Sequence, residues 1–377
     1  MGQANQHEAF RALESEPLMT DVPFISVVMP CHDVERYVTA SLNSVAAQTV
    51  DEWEIVAIDD CSNDCTQTIL RAAAQRDERI RVFALPENLG AAAARNYGLS
   101  QVRGTHVAFL DPDDSFDPSL FETLRRIVTD VDPQMVVWGA REEYTDETGA
   151  VVLTKDVVAE SRHCDTPESV HATILDLERL TLFGYVWNKL YRRDLLEKSG
   201  PVFPSTAINE DVFFNITVAR SLRSLTVVGS ALYSYARRDA KRRTSLTARF
   251  LPDYFELSSR RVGDMLDLYR AWGEVDAEVK KVLGTIYVRC ALSALQRNCD
   301  PRANMKRKAR KDWLGAFYDL PLSRELVEYA APEGRAARIF AWLFQHKSKT
   351  MLLLAAHSVY VINAKMPAVF SRLKQSR

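Results

Sequence analysis

No stretch of these 377 residues reaches the roughly 18 consecutive apolar positions that crossing a bilayer requires. Residues 1–22 hold Glu8, Glu14, Glu16 and Asp21 around no apolar core, so no secretory signal is expected there. Met1-Gly2 is followed by Gln6 where myristoylation favours Ser or Thr. The six cysteines (Cys31, Cys61, Cys65, Cys164, Cys290 and Cys299) form no Cys-x-x-Cys pair, and no histidine cluster has zinc-ligand spacing. Reduced thiols in a cytosolic chain are therefore expected. Excess positive charge is missing too: 48 Lys+Arg stand against 50 Asp+Glu, which excludes the basic footprint of a nucleic-acid binder. Acid is itself absent after Glu333, while Arg335, Arg338, Lys347, Lys349, Lys365, Arg372, Lys374 and Arg377 follow.

What is present is ordinary globular composition, 47% hydrophobic and 26% charged, in a chain long enough for one large domain and an appendage. From Phe24 a βα rhythm is legible. Phe24–Met29 is a short, nearly all-apolar run, as a parallel strand buried on both faces requires, and Pro30 is expected to end it. Asp33 then caps a helix with Val34, Val38, Leu42 and Val45 on one face. Further strands are expected at Glu54–Ile58, Ile80–Leu85, His106–Leu110 and Met135–Gly139. Helices are expected around Thr66–Gln75, through Ala91–Leu99, and after Asp117-Pro118. This alternation implies a mostly parallel, Rossmann-like sheet with helices on both faces. From about Tyr254 the pattern is helical only, in Phe255–Trp272, Val279–Leu295 and Leu326–Phe344.

In such sheets ligands bind beyond the carboxyl ends of the strands. Four of these ends deliver polar groups: Cys31-His32-Asp33, Asp59-Asp60, Asn88, and Asp111-Pro112-Asp113-Asp114. Two carboxylates one residue apart at a strand end suit a hard divalent cation such as Mn²⁺ or Mg²⁺, with positions left for substrate phosphates. Asp and Pro also serve ordinary turns, so the pair gains its meaning from the company it keeps.

That company is an ordered set: Ile25–Pro30, Ser44-x-x-x-Gln48-Thr49, Glu54–Asp64 (EIVAIDDCSND), Asn88–Gly98 (NLGAAAARNYG) and Phe109–Asp114 (FLDPDD). Trp187–Arg193 (WNKLYRR), Glu210-Asp211 and Tyr233–Ser245 continue it. Over about residues 24–245 the set closely resembles glycosyltransferase family 2, the inverting nucleotide-sugar transferases. The resemblance implies an A-type glycosyltransferase fold spanning residues 23–248, after a tail at 1–22 and before a helical region at 249–377. It implies donor contacts from Pro30, His32, Asp59, Asp60, Asn88, Gly90, Arg95, Asp111 and Asp113, with Asp111 and Asp113 on the metal. It also implies Asp211 as general base, Glu210 beside it, and Trp187 and Lys189 on the acceptor side. Gly90 and the alanines after it let a helix N-terminus approach a ligand, with Arg95 set to pair with a phosphate or with the Asp-x-Asp loop. Cys61 and Cys65 stand where the family often has Gly, so a positive φ at either would be strained. Arg237, Arg238, Lys241, Arg242 and Arg243 form a cationic strip suited to a diphosphate, or a solvated basic face.

The expected activity is metal-dependent inverting transfer from a nucleotide-diphosphate sugar, uridine diphosphate being the commonest choice. The acceptor would be a hydroxyl of a glycan or lipid-linked glycan, in surface polysaccharide synthesis at the cytosolic side. The basic tail either docks as a helix on the transferase domain or lies on an anionic membrane, with Met351, Ala355, Val359, Ile362 and Met366 on one face. A sugar-1-phosphate nucleotidyltransferase needs a glycine-rich loop after its first strand, and Pro30–Val38 has no glycine. A non-catalytic scaffold of the same fold is the other alternative, but Asp111, Asp113 and Asp211 are all present.

Overall fold

The computed structural model describes residues 22–146, 150–237 and 250–365. The tail before residue 22, Arg238, Lys241, Arg242 and Arg243 of the cationic strip, and Met366, Arg372, Lys374 and Arg377 lie outside the described residues. Ten strands among them form one mixed sheet, ordered β3-β2-β1-β4-β9-β6-β10-β5. The parallel half comprises β1 (Ile25–Cys31), β2 (Trp53–Asp59), β3 (Ile80–Ala84) and β4 (His106–Phe109). β1, β2 and β4 are buried at every position, as their mostly apolar runs require, and the buried Ser26 hydroxyl of β1 donates to Glu54 of β2. Pro30 does not end its strand: β1 runs on to Cys31 in register with Asp59. The last β4 bond to β1 is Leu110 N–H to Val28 O, so the N–H that proline lacks falls beyond the end of β4.

The second half departs from the expected rhythm. β6 (Met135–Thr145) and β10 (Leu225–Arg237) run parallel to each other, and the four-residue β9 (Lys189–Arg192) is inserted antiparallel between β4 and β6. β5 (Ser115–Phe116) and β8 (Arg162–Cys164) pair antiparallel with β10, and β7 (Val151–Val157) with β6.

Helix α1 (Val38–Ala46) begins one turn later than expected. Asp33 does not cap it; Asp33 sits at φ +51° and its carboxylate accepts the Asn63 N–H, joining the loops after β1 and β2. Helices α2 (Thr66–Arg76) and α3 (Ala91–Leu99) fall where periodicity puts them. A Cβ on Gly98 would lie 2.6 Å from Val28 Cγ1, which is how closely α3 approaches the sheet. α4 (Leu120–Val131) starts after Asp117, which accepts from the N–H and hydroxyl of Ser119. α5 (Pro167–Arg179), α6 (Arg193–Ser199) and α7 (Glu210–Ala219) complete the transferase-like half.

The helical region starts with α8 (Tyr254–Trp272) and α9 (Ala277–Arg297), then α10 (Arg307–Asp319) and α11 (Pro321–Leu326). The expected run Leu326–Phe344 is broken by a 3₁₀ turn at Val327–Tyr329 and resumes as α12 (Arg335–Gln345) after Gly334 at φ +83°. α13 (Lys349–Lys365) packs on α9, α10 and α12, so its dock is the helical region itself. Leu352 and Ala356 are its fully buried residues, whereas Met351 is 53% exposed, turning the helix away from the face expected from spacing. One core cluster holds Val28 and Phe109 of the sheet together with Phe255 and Leu283 of these helices. None of the described helices is long and apolar enough to cross a membrane.

Candidate functional site

Arg95 is the hub of the site. It is 5% exposed on α3, and three carboxylates from two other elements converge on its guanidinium. Nη2 is 2.8 Å from Asp111 Oδ1 at the end of β4; Nη1 is 3.3 Å from Asp211 Oδ1 and 3.5 Å from Glu210 Oε1. Of the two partners expected for Arg95, the Asp-x-Asp loop is the one present here. Glu210 and Asp211 occupy the first turn of α7, where the helix dipole favours acids, and Asn209 before them takes the left-handed φ +68° that asparagine tolerates. Burial pushes the Asp211 carboxyl up to about 6; Arg95 and Lys189 oppose that rise, and the Val186 N–H bonds to the carboxylate. Burial also raises Asp111, with Arg95 opposing and the charges of Asp211 and Asp113 reinforcing.

The Asp-x-Asp loop is fixed from behind. Asp114, the residue for which sequence reading proposed no role, is 5% exposed and accepts from the Tyr233 hydroxyl (2.9 Å) and the Ala236 N–H (2.9 Å) of β10. The same Tyr233 oxygen accepts the Asp111 N–H. Ser44 and Gln48 of the quoted motif hold the following loop: Ser44 Oγ accepts from Phe116 N–H, while the Gln48 side chain donates to Asp117 O and accepts from Phe121 N–H. Asp113 is half-buried beside them. Only the long-range partner Tyr233 reveals what Asp114 does, and no local signal carries it.

Trp187 stacks between Tyr185 (4.5 Å) and Tyr233 (4.3 Å) and is 5% exposed. Lys189, expected on the acceptor side, is completely buried and reaches no open surface. Its Nζ donates to Leu182 O, Tyr185 O and Asn188 Oδ1, and Asn215 Nδ2 donates to the carbonyls of Phe183, Gly184 and Tyr185. These side chains hold the 182–187 turn, which supplies Asp211 with its Val186 N–H and Tyr233 with its stacking partner. Burial lowers the Lys189 ammonium to about 7.

A second cluster forms at the ends of β1 and β2. Asp60 accepts the N–H groups of Leu89 and Gly90 (both 2.8 Å), and Asp59 accepts from Ser62 N–H and Gln67 Nε2. His32 Nδ1 lies 2.8 Å from Asp60 O, and Asn88 Nδ2 is 2.9 Å from His32 Nε2. Both carboxylates are buried and engaged with the backbone, so they shape these loops; His32, Asn88 and Gly90 are the more open members. Cys61 takes φ +56°, the strained geometry foreseen for it, whereas Cys65 takes φ −78°. Arg237 pairs with Glu142 on β6 and lies over the Tyr235 ring.

Asp111 and Asp113 fit a divalent cation. Besides burial, the charges of Asp211 and Asp113 raise the Asp111 carboxyl and those of Asp113 and Asp111 raise that of Asp114, an excess of negative charge that a cation would relieve. No group of three or more metal-ligating side chains occurs among the described residues, so the remaining positions would fall to substrate and water. A hollow of about 180 Å³ opens at the α3 N-terminus between Gly90, Ala91 and Ala92 and residues Ser205–Ala207 and Glu210. A cavity of about 1160 Å³ runs from Glu210, Asp211 and Tyr185 to α8, α9, α12 and α13.

Residues 26–200 match the family description Glycosyl transferase family 2. EpsH of Bacillus subtilis (strain 168), a glycosyltransferase by provisional name, is 31% identical over 218 residues, covering 57% of this chain and 61% of its own length. Glycosyltransferase GlyA of Streptococcus pneumoniae serotype 4 is 26% identical over 242 residues, 63% of this chain and 34% of its own. The chain thus spans about three fifths of EpsH and a third of GlyA. The crystal structure of S. aureus TarS 1-349 in complex with UDP-GlcNAc superposes with a TM-score of 0.61 at 20% identity, over 91% of this chain and 92% of that one. That likeness shows the A-type glycosyltransferase fold, and the ordered motifs around Arg95 lie on it. Residues 26–200 are a glycosyltransferase family 2 domain.

Proposed function

We propose that the chain transfers a sugar, with inversion, from a nucleotide-diphosphate donor to a hydroxyl of a glycan or lipid-linked acceptor. The observation that carries this reading is the convergence of Asp111, Glu210 and Asp211 on buried Arg95, which brings a donor-side loop and a candidate base to one point. Inversion is a single displacement at the anomeric carbon and needs one group to take the acceptor proton. Asp211, raised by burial yet ionised at neutral pH, suits that task, and Glu210 beside it orients the acceptor. Asp111 and Asp113 would hold Mn²⁺ or Mg²⁺, which when bound neutralises charge building on the departing diphosphate. His32, Asn88 and Gly90 are the candidates for the nucleotide side. A uridine donor is favoured because TarS, of the same fold, carries UDP-GlcNAc. A role in surface polysaccharide synthesis agrees with the name of TuaG of Bacillus subtilis (strain 168), a teichuronic acid biosynthesis glycosyltransferase by provisional name that is 42% identical over 100 residues.

The test is Asp211→Asn. Donor binding by calorimetry should stay within about twofold while transfer falls about 10²- to 10⁴-fold, the usual worth of a general base. Unchanged turnover removes Asp211 from the role. A non-catalytic scaffold is separated by metal-dependent hydrolysis of the nucleotide-sugar, which a scaffold does not perform.

A further inference from the structure

The cavity of about 1160 Å³ exceeds what a monosaccharide needs, since small-ligand sites run about 300–1,000 Å³. Glu210 and Asp211 line it, whereas Asp111 and Asp113 of the donor loop do not. Its far walls carry the apolar side chains Ile286 and Leu292 of α9, Phe340 of α12, and Val359 and Ile362 of α13, with Ser293, Gln296 and Arg297 of α9 among them. A purely polyhydroxylated acceptor would leave the hydroxyls that meet those apolar side chains unpaired. Two further lining residues, Arg289 and Arg335, are exposed and have no carboxylate partner among the described residues. The outer faces of the same helices carry exposed Ile339 (59%), Trp342 (53%) and Leu354 (55%) beside Arg338, Lys347 and Lys349. That combination of apolar and basic side chains complements an anionic bilayer.

We infer that this cavity is the acceptor subsite and that it takes an amphiphile. The phosphoryl linkage of a lipid-linked sugar would meet Arg289 and Arg335, and its hydrocarbon chain would lie along α9, α12 and α13. The inference rests on the glycosyl-transfer reading and narrows its acceptor to the lipid-linked class.

The experiment uses the full chain and dansyl-labelled geranyl diphosphate as probe, read by dansyl fluorescence. Dansyl-labelled geraniol tests the chain alone and inorganic diphosphate the charge alone. The probe should bind the wild type more tightly than either, and saturating UDP with Mn²⁺ should not displace it. Ala337→Trp, which fills the cavity, should weaken the probe about tenfold, and the Arg289→Ala/Arg335→Ala pair should weaken it about tenfold while leaving dansyl-geraniol unchanged. Ser293→Trp serves as the second cavity-filling variant if Ala337→Trp lowers the melting point. Undiminished probe binding in both tryptophan variants, displacement by UDP, or equal affinity for the neutral alcohol each overturns the inference. Calorimetry of UDP with Mn²⁺ keeps the two readings apart. If UDP fails to bind while the probe behaves as expected, the transferase reading falls and the amphiphile site stands; the reverse result sinks the amphiphile site alone.

Discussion

Arg95 sets the charge state of the residues around it. Its guanidinium stabilises ionised Asp211 against the opposing pull of burial, so removing it must move that carboxyl upward. Because the proposed base, Asp211, acts in its ionised form, the acid limb of the kcat/KM profile of Arg95→Met should shift to higher pH than in the wild type. A limb that stays in place would mean that Asp211 does not titrate in the rate. Asp113 belongs to the same scale. Asp113→Ala should weaken a UDP-sugar about tenfold or more in Mn²⁺ and have little effect in chelator, measured by calorimetry. Equal affinities in Mn²⁺ would contradict the metal assignment. Asp59 and Asp60 show the limit of reading single residues. Their position at a strand end was legible, but their carboxylates are engaged by Ser62, Gln67, Leu89 and Gly90, contacts that depend on how three loops pack.

At the level of elements, strands buried on both faces were the easiest to read. β1, β2 and β4 are mostly apolar and buried throughout, with Ser26, Glu54 and His106 near their starts, a composition that admits few other structures. β9 was not legible: Lys-Leu-Tyr-Arg is four residues long, half of them basic, and becomes a strand because β4 and β6 offer it two edges. Asp33 misled for a similar reason, since a residue that caps a helix can as well tie one loop to another. The strain at Cys61 was foreseeable from the family pattern, and it gives a test on the β2–α2 turn. A non-glycine residue in the left-handed region costs about 1–2 kcal/mol, so Cys61→Gly should stabilise the fold by up to about 1 kcal/mol after the added chain entropy. Denaturant unfolding checks this; destabilisation would mean that the Cys61 side chain contributes packing that outweighs the strain.

Across the whole molecule, the helical region continues the core of the sheet, with Phe255 and Leu283 in one cluster with Phe109. Arg261 of α8 pairs with Glu178 of α5, which is 1% exposed, making a buried ionic tie between the two halves. Arg261→Met would leave that carboxylate unpaired, at a cost of about 3–5 kcal/mol, whereas the double variant with Glu178→Gln should recover most of it. Thermal unfolding of the single and double variants measures the difference, and equal losses would show that the pair acts through packing alone.

The insertion of β9 also has a consequence for synthesis. Translation delivers β4 and β6 well before the strand that separates them and before β10, so a nascent chain halted short of residue 189 leaves bare the β4 and β6 edges that β9 joins and the β6 edge that β10 joins. Ribosome-stalled chains of that length should recruit chaperones and aggregate on release, and only chains extended past Arg237, which supply both β9 and β10, should escape both fates.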